Sequence, residues 1–181
     1  LSLNRPEVLM IIGAGQTQGY RRTALHPLGS LEDHAYVLTD AGATALIIDP
    51  NPMFVERALG LLARVPSLTR VLTLGPVPAE LADVGVDLIA EAARYPVRQL
   101  TAAELPPDHI GGLTYTGGTT GKPKGVIGTV GSILTMTTVQ LAEWEWPEHP
   151  RFLMCTPLSH AGAAFFVPTI VKGGEMVVLP R

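Results

Sequence analysis

The sequence predicts an α/β fold, one or more mostly parallel sheets with helices on both faces, and three observations carry that prediction. Strand-like and helix-like segments alternate along the chain, as βαβ units require. The run Thr44-Ala45-Leu46-Ile47-Ile48-Asp49 is short, apolar and stopped by Pro50, as a strand buried on both faces would be. Charged residues make up only 16% of the 181-residue chain, against roughly 25% in an average soluble domain. The shortage of charge fits buried sheet elements, and it also fits a fragment whose partner surface lies elsewhere.

Pro6 and Glu7 mark a helix start, and the glycine-bearing stretch 13–19 is expected to close that helix. Residues 22–26 read as a short strand. Ser30, with Asp33 three positions on, nearly makes a capping box for a helix running to Ala41 and Gly42. The apolar strand 44–49 follows, then a helix over 52–64 and a strand over 70–74. Pro76 and Pro78 lead into a helical segment expected to run from 79 to 94. Residues 99–112, with Pro106, Pro107, Gly111 and Gly112, form the best seam. Beyond it come a strand at 113–115, a Gly/Thr/Lys loop, a strand at 125–129 and a helix from 132 to 146. A strand at 152–156, a helix over 160–172 kinked at Pro168, and a strand at 175–179 complete the pattern. The sequence has no internal repeat and no low-complexity tract.

Composition excludes several classes. A net charge of −3 argues against a broad nucleic-acid surface, which needs clustered Lys and Arg. The most apolar stretch, 165–171, is interrupted by Pro168 and followed by Lys172, far short of the ~20 apolar residues of a membrane span. No basic region precedes an apolar run at the N-terminus, so a signal peptide is not expected. Cys155 is the only cysteine, which rules out an internal disulfide and points to a reducing, cytoplasmic setting. The chain does not begin with Met and stops just after a strand-like run, so both ends are expected to be cut.

The strongest chemical signal is Thr116-Gly117-Gly118-Thr119-Thr120-Gly121-Lys122-Pro123-Lys124-Gly125. Glycines let backbone N–H groups turn toward an anion without side-chain clashes. The threonines add hydroxyl donors, Lys122 and Lys124 add positive charge, and Pro123 stiffens the exit. This mixture suits polyphosphate, because hydrogen bonds to charged oxygens are the strong ones. A Walker A loop is a different pattern: it needs Gly five residues before its Gly-Lys pair and Ser or Thr after the Lys. Thr116 and Pro123 occupy those places here.

With Tyr115 before it and Val126 after it, this loop resembles the signature of the adenylate-forming (acyl-activating, AMP-binding) enzyme superfamily. The family usually carries Ser where this chain has Gly117, and often His where it has Val130. A second stretch, Thr156-Pro157-Leu158-Ser159-His160-Ala161-Gly162-Ala163, resembles the family's Pro-Leu-x-His motif, about 40 residues after the loop. Residues 21–50 are similar to the region upstream of the loop in fatty-acyl-CoA ligases.

The resemblance implies that residues 1–181 are a partial N-terminal AMP-binding domain, with the loop in the half 112–181. The remainder of that domain and the C-terminal domain would lie elsewhere in the same protein and act as its partner. It further implies ATP-dependent activation of a carboxylic, fatty acid to an acyl-adenylate, with pyrophosphate release and then thioesterification to coenzyme A. ATP, Mg²⁺ and CoA would be the cofactors and co-substrates. Thr116, Thr119 and Thr120 would donate hydroxyls, and Gly117, Gly118 and Gly121 backbone N–H groups. Lys122 and Pro123 belong to the same ATP-binding loop, and Lys124 would supply the catalytic counter-charge. His160 would stand at the acyl-carboxylate. The family's ribose-binding Asp, hinge and late catalytic Lys are not found in this sequence, so the piece alone is expected to be inactive.

Other readings stand beside this one. The acceptor could be a carrier protein in place of CoA, or the chain could be a nucleotide-binding module without catalysis. Homo-oligomerisation is left open. Val8 to Gly15 imitates a dinucleotide-binding fingerprint, but Gln18 stands where the third glycine belongs. The remaining histidines show no metal spacing, and Cys155 is expected in a buried strand, where a thiol is inert.

Overall fold

A computed structural model describes residues 1–117, 121–159 and 161–179. Among the described residues the strands form three sheets, and the chain divides into two compact units.

The first unit comprises residues 1–2, 25–100 and 115–125. Its sheet has strands β2 (Ala45–Ile48), β3 (Arg70–Thr73) and β4 (Gly85–Asp87) in that order, all parallel. The register pairs Ile47 with Leu72 and Thr73 with Asp87. Helix α2 (Leu31–Asp40) starts where expected, because the Ser30 hydroxyl accepts the Asp33 N–H at 3.0 Å. Helix α3 (Pro52–Leu62) is the β2-to-β3 crossover. The Asn51 side chain caps it by accepting from the Phe54 N–H at 3.1 Å, and Pro52 presets the first turn. Leu38, Ile48, Phe54, Ala58, Leu61 and Val71 from these elements meet in one core. Each large apolar side chain buried there is worth about 1.5–3 kcal/mol over exposure.

The segment 79–94 is not the single helix the sequence predicts. A 3-10 turn (Ala79–Leu81) leads into β4, and only Leu88–Ala92 (α4) is helical. Gly85 makes this change of course: a Cβ there would lie 2.6 Å from Val77 Cγ1 and 2.7 Å from the Leu81 carbonyl. Pairing with β3 overrides the local helical preference, and the Asp87 carboxylate caps the helix that remains.

The second unit comprises residues 3–24, 101–114 and 126–181. Helix α1 (Pro6–Gln18) runs straight through Gly13 and Gly15 and ends at Gly19, whose φ of 75° gives the left-handed cap. The helix is therefore longer than predicted. Strand β1 (Arg22–Thr23) lies parallel to β5 (Ile110–Thr116), so β5 begins three residues earlier than predicted, inside the expected seam. Strand β6 (Lys124–Thr129) adjoins β5. The close neighbours Tyr115 and Gly125, and then Gly112 and Gly128, make this pair an antiparallel hairpin, since a parallel crossover needs a dozen or more residues.

Helix α5 (Val130–Glu143) opens on a reciprocal Thr129–Ser132 cap and stops short of the predicted 146. Pro147 disfavours helix at Trp146, whose indole N–H instead donates to the Gln140 carbonyl at 2.8 Å. Strands β7 (Arg151–Met154) and β8 (Glu175–Val178) are parallel. Between them the predicted 160–172 helix is a 3-10 turn (Ala161–Phe165) followed by α6 (Phe166–Val171). Pro168 is thus the third residue of a new helix, in the first turn that tolerates it, rather than the site of a kink. Leu9, Ile12, Met154 and Leu158 form this unit's core, with Phe165, Phe166 and Met176 packed on it. No helix among the described residues is long and apolar enough to cross a membrane.

Candidate functional site

The Gly/Thr/Lys loop joins β5 to β6, and its described residues show how the chain enters and leaves it. Thr116 is the last residue of β5 and is exposed. Gly117 follows, also exposed, and a Cβ there would meet nothing within 4 Å. Gly118, Thr119 and Thr120 lie outside the described residues. Gly121 has φ +151°, where a side chain would be strained although the surrounding space is open. Its glycine is therefore demanded by backbone conformation. Gly125 is demanded by space: a Cβ would lie 3.1 Å from Tyr115 Cζ.

Gly121, Lys122, Pro123, Lys124 and Gly125 line one open cleft of about 420 Å³ together with Tyr36 and Asp40 of α2. The two lysines outnumber the single carboxylate, so the cleft carries positive charge suited to an anion. Lys122 Nζ lies 5.2 Å from the centre of the Tyr36 ring, a cation–π distance. The Asp40 carboxylate accepts the Tyr115 hydroxyl at 2.5 Å, the length of a charge-assisted O–H···O⁻ bond. Tyr36 and Asp40 were not marked as site residues by the sequence. Their only local signal is their four-residue spacing on a helix face, which gives no hint of what they face.

The second motif leaves β7 as Thr156-Pro157-Leu158-Ser159, and His160 lies outside the described residues. The stretch before it is held by Asn4, which is 9% exposed. Asn4 Nδ2 donates to the Thr156 carbonyl at 2.9 Å, and Asn4 Oδ1 accepts the Leu158 N–H at 3.0 Å. Both ends of the amide are satisfied, so the motif backbone is fixed by a residue far away in sequence. Gly162 adds a close contact, since a Cβ would come within 2.8 Å of Met154 Sδ and Thr156 Oγ1. Cys155, expected to be buried, is exposed, because β7 ends one residue before it.

Two other features bear on the alternatives. The glycines of the dinucleotide-like stretch sit inside α1, whereas that fingerprint needs a strand-to-helix turn. Among the described residues no three His, Cys, Asp or Glu side chains gather as a metal site.

Electrostatics beyond the cleft are structural. Arg5 donates to both Glu7 carboxylate oxygens at 2.9 Å, and this bond holds the Glu7 carboxyl down at about 2. His34, 3% exposed, lies with Nε2 2.9 Å from the His26 carbonyl and Nδ1 3.1 Å from Arg57 Nη1. A guanidinium only donates, so Nδ1 accepts and the imidazole is the neutral Nε2–H tautomer. Burial, the largest effect, lowers its pKa from the ordinary 6.5.

Comparisons with known proteins identify the family. The family described as "AMP-binding enzyme" matches residues 1–181. A medium/long-chain-fatty-acid–CoA ligase, FadD8 of Mycobacterium tuberculosis, is 76% identical over 181 residues, covering 100% of this chain and 32% of the relative. A feruloyl-CoA synthase of Amycolatopsis is 33% identical over 150 residues, 81% of this chain and 26% of the relative. The solved structure of the amide bond synthetase McbA from Marinactinospora thermotolerans superposes with a TM-score of 0.80 at 28% identity, over 100% of this chain and 34% of that one. The chain spans about a third or less of the length of these relatives.

Proposed function

Because the chain belongs to the AMP-binding, adenylate-forming enzyme family, we propose that it supplies the ATP-phosphate clamp of a ligase activating medium- or long-chain fatty acids. The observation that carries this reading is the loop exit, where Lys122 and Lys124 line one cleft beside backbone that only glycine adopts at 121. The substrate class is supported by the 76% identity to a fatty-acid–CoA ligase.

In this reading the loop cradles the β- and γ-phosphates of ATP. Thr116, Thr119 and Thr120 offer hydroxyls, and Gly117, Gly118 and Gly121 offer backbone N–H groups. Lys122 and Lys124 offset charge on the departing pyrophosphate, an electrostatic task that requires donors to be in place before the bond breaks. His160 stands at the carboxylate of the acid, two positions after Leu158, whose N–H Asn4 accepts. Mg²⁺ would arrive with the phosphates and neutralise their charge; the described residues add no three-ligand cluster of their own.

The carboxylate of the fatty acid attacks the α-phosphate to give acyl-adenylate and pyrophosphate, and the CoA thiol then takes the acyl group by breaking the acyl–phosphate bond and releasing AMP. The 181 residues form part of the large N-terminal domain, with the remaining motifs further along a longer chain. A cytoplasmic setting belongs to the same reading, supported by the lone cysteine.

The test is to assay the intact enzyme against a panel of acids with and without CoA. Pyrophosphate exchange should depend on a medium- or long-chain acid, and the thioester should form with CoA. Lys124→Ala should slow exchange by about 10- to 100-fold, the loss of one charge-assisted contact of about 1.5–3 kcal/mol. ATP binding without acid-dependent exchange would instead assign a nucleotide-binding module. Acyl transfer only to a carrier protein would assign an acyl-AMP ligase.

A further inference from the structure

The loop is held from outside by one face of α2. Tyr36 and Asp40 are four residues apart and so lie on the same side of that helix. Asp40 takes the hydroxyl of Tyr115, the residue immediately before Thr116 on the incoming limb. Tyr36 lies under Lys122 on the outgoing limb. Both tyrosines pack against the unit's core, which gives them a firm base. Gly125, across the hairpin, leaves the space that the Tyr115 ring fills.

We propose that Tyr36 and Asp40 are positioning residues that set the two limbs of the phosphate loop at the separation ATP requires. This rests on the loop being the ATP clamp. In this role neither residue binds phosphate itself. Asp40 fixes Tyr115 and, through it, the start of the loop; the bond also engages the carboxylate that lines the cleft with Lys122 and Lys124. The Tyr36 ring gives the Lys122 ammonium a resting position at the cleft. The ammonium has three N–H donors, so it can stay over the ring while it donates a charge-assisted bond to phosphate. The ring restricts the lysine before ATP arrives and keeps it at the cleft in the complex, so less freedom is lost on binding.

The experiment is a double-mutant cycle in the intact enzyme, reading KM for Mg-ATP and for the fatty acid in pyrophosphate exchange, with melting temperature measured in parallel. Asp40→Ala and Tyr115→Phe should each raise KM for ATP roughly fivefold, the factor equivalent to about one ordinary hydrogen bond. The double variant should be no worse than either single, since both remove one interaction. Asp40→Asn, which keeps an acceptor, should fall between Asp40→Ala and the unsubstituted enzyme. Tyr36→Leu should also raise KM for ATP, and Tyr36→Phe, which keeps the ring face, should recover most of that loss. KM for the fatty acid should stay within about twofold throughout, because a purely structural defect would move both constants.

Additive losses, equal rises in both KM values, or failure of Tyr36→Phe to outperform Tyr36→Leu would overturn the proposal. Should the unsubstituted enzyme bind ATP yet show no acid-dependent exchange, the ligase reading fails, and calorimetric Kd values for Mg-ATP across the same variants still decide the α2 proposal. An unsubstituted enzyme that binds no ATP overturns both.

Discussion

The family resemblance of the loop implies Ser where this chain has Gly117, and the surroundings of Gly117 do not demand glycine. A Cβ meets nothing within 4 Å, and the backbone is outside the left-handed region. Gly117→Ser should therefore leave stability within about 0.5 kcal/mol, as most surface changes do. The added hydroxyl should lower KM for ATP; a rise in KM, or a falling melting temperature, would show that the glycine is required. His34 carries a prediction of a different kind. Its folded pKa lies below 6.5, so the unfolded chain takes up a proton at higher pH than the folded chain. Its stabilising contribution is complete above about pH 6.5 and is lost as pH falls toward the folded value. Melting temperatures followed from pH 7.5 to pH 5 should drop less steeply in His34→Gln than in the unsubstituted protein. An identical slope would mean that His34 does not take part. The loop is legible as a motif because its glycines, threonines and lysines lie in consecutive positions. Nothing in it marked His34 as buried, since that depends on Arg57 and His26 meeting it from elsewhere in the fold.

The starts of α2 and α3 were legible in the sequence, whereas those of α4 and α5 were not, although Asp87 and Thr129 cap them. Ser30 and Asn51 both accept from the backbone N–H three residues on, as short polar side chains at that place can. Asn51→Ala should cost about 0.5–2 kcal/mol, the usual worth of such a cap. Faster hydrogen exchange confined to the first turn of α3 would report it, and unchanged protection there would count against the cap. Helix ends were less legible. Gly13 reads as a stop, yet α1 passes through it, and a Cβ there would sit against the Phe166 ring at 3.4 Å. In that case glycine serves packing between α1 and α6 and does not terminate the helix. The segment 79–94 failed for a related reason, because pairing Val71, Leu72 and Thr73 with residues 85–87 decides its conformation.

At the scale of the whole molecule, the second unit exposes apolar side chains in β7 and β8 and just after β8: Leu153, Val177 and Leu179 are 41–55% exposed. Their neighbours Phe152, Met154, Met176 and Val178 belong to the core or pack on it. Strands that are apolar on both sides are typical of sheets covered twice, as the low charge content suggested. The prediction at this scale concerns the 181 residues as an isolated piece: they should not support acid-dependent pyrophosphate exchange, since they span only 32% of the length of a relative that is a fatty-acid–CoA ligase. Exchange at the rate of the intact enzyme would overturn that expectation.

By itself the sequence determined the α/β class, most strands and helix starts, and the family to which the chain belongs. Hydrophobic period, caps and glycine patterns are all properties of near neighbours in the chain. Only the tertiary structure decided which residues stand behind the two motifs. Asp40 reaches Tyr115 across 75 positions, and Asn4 reaches Leu158 across 154. The physical reason is that parallel crossovers and buried cores bring distant segments into contact, and no local pattern specifies the partner of an aspartate, a tyrosine or an asparagine.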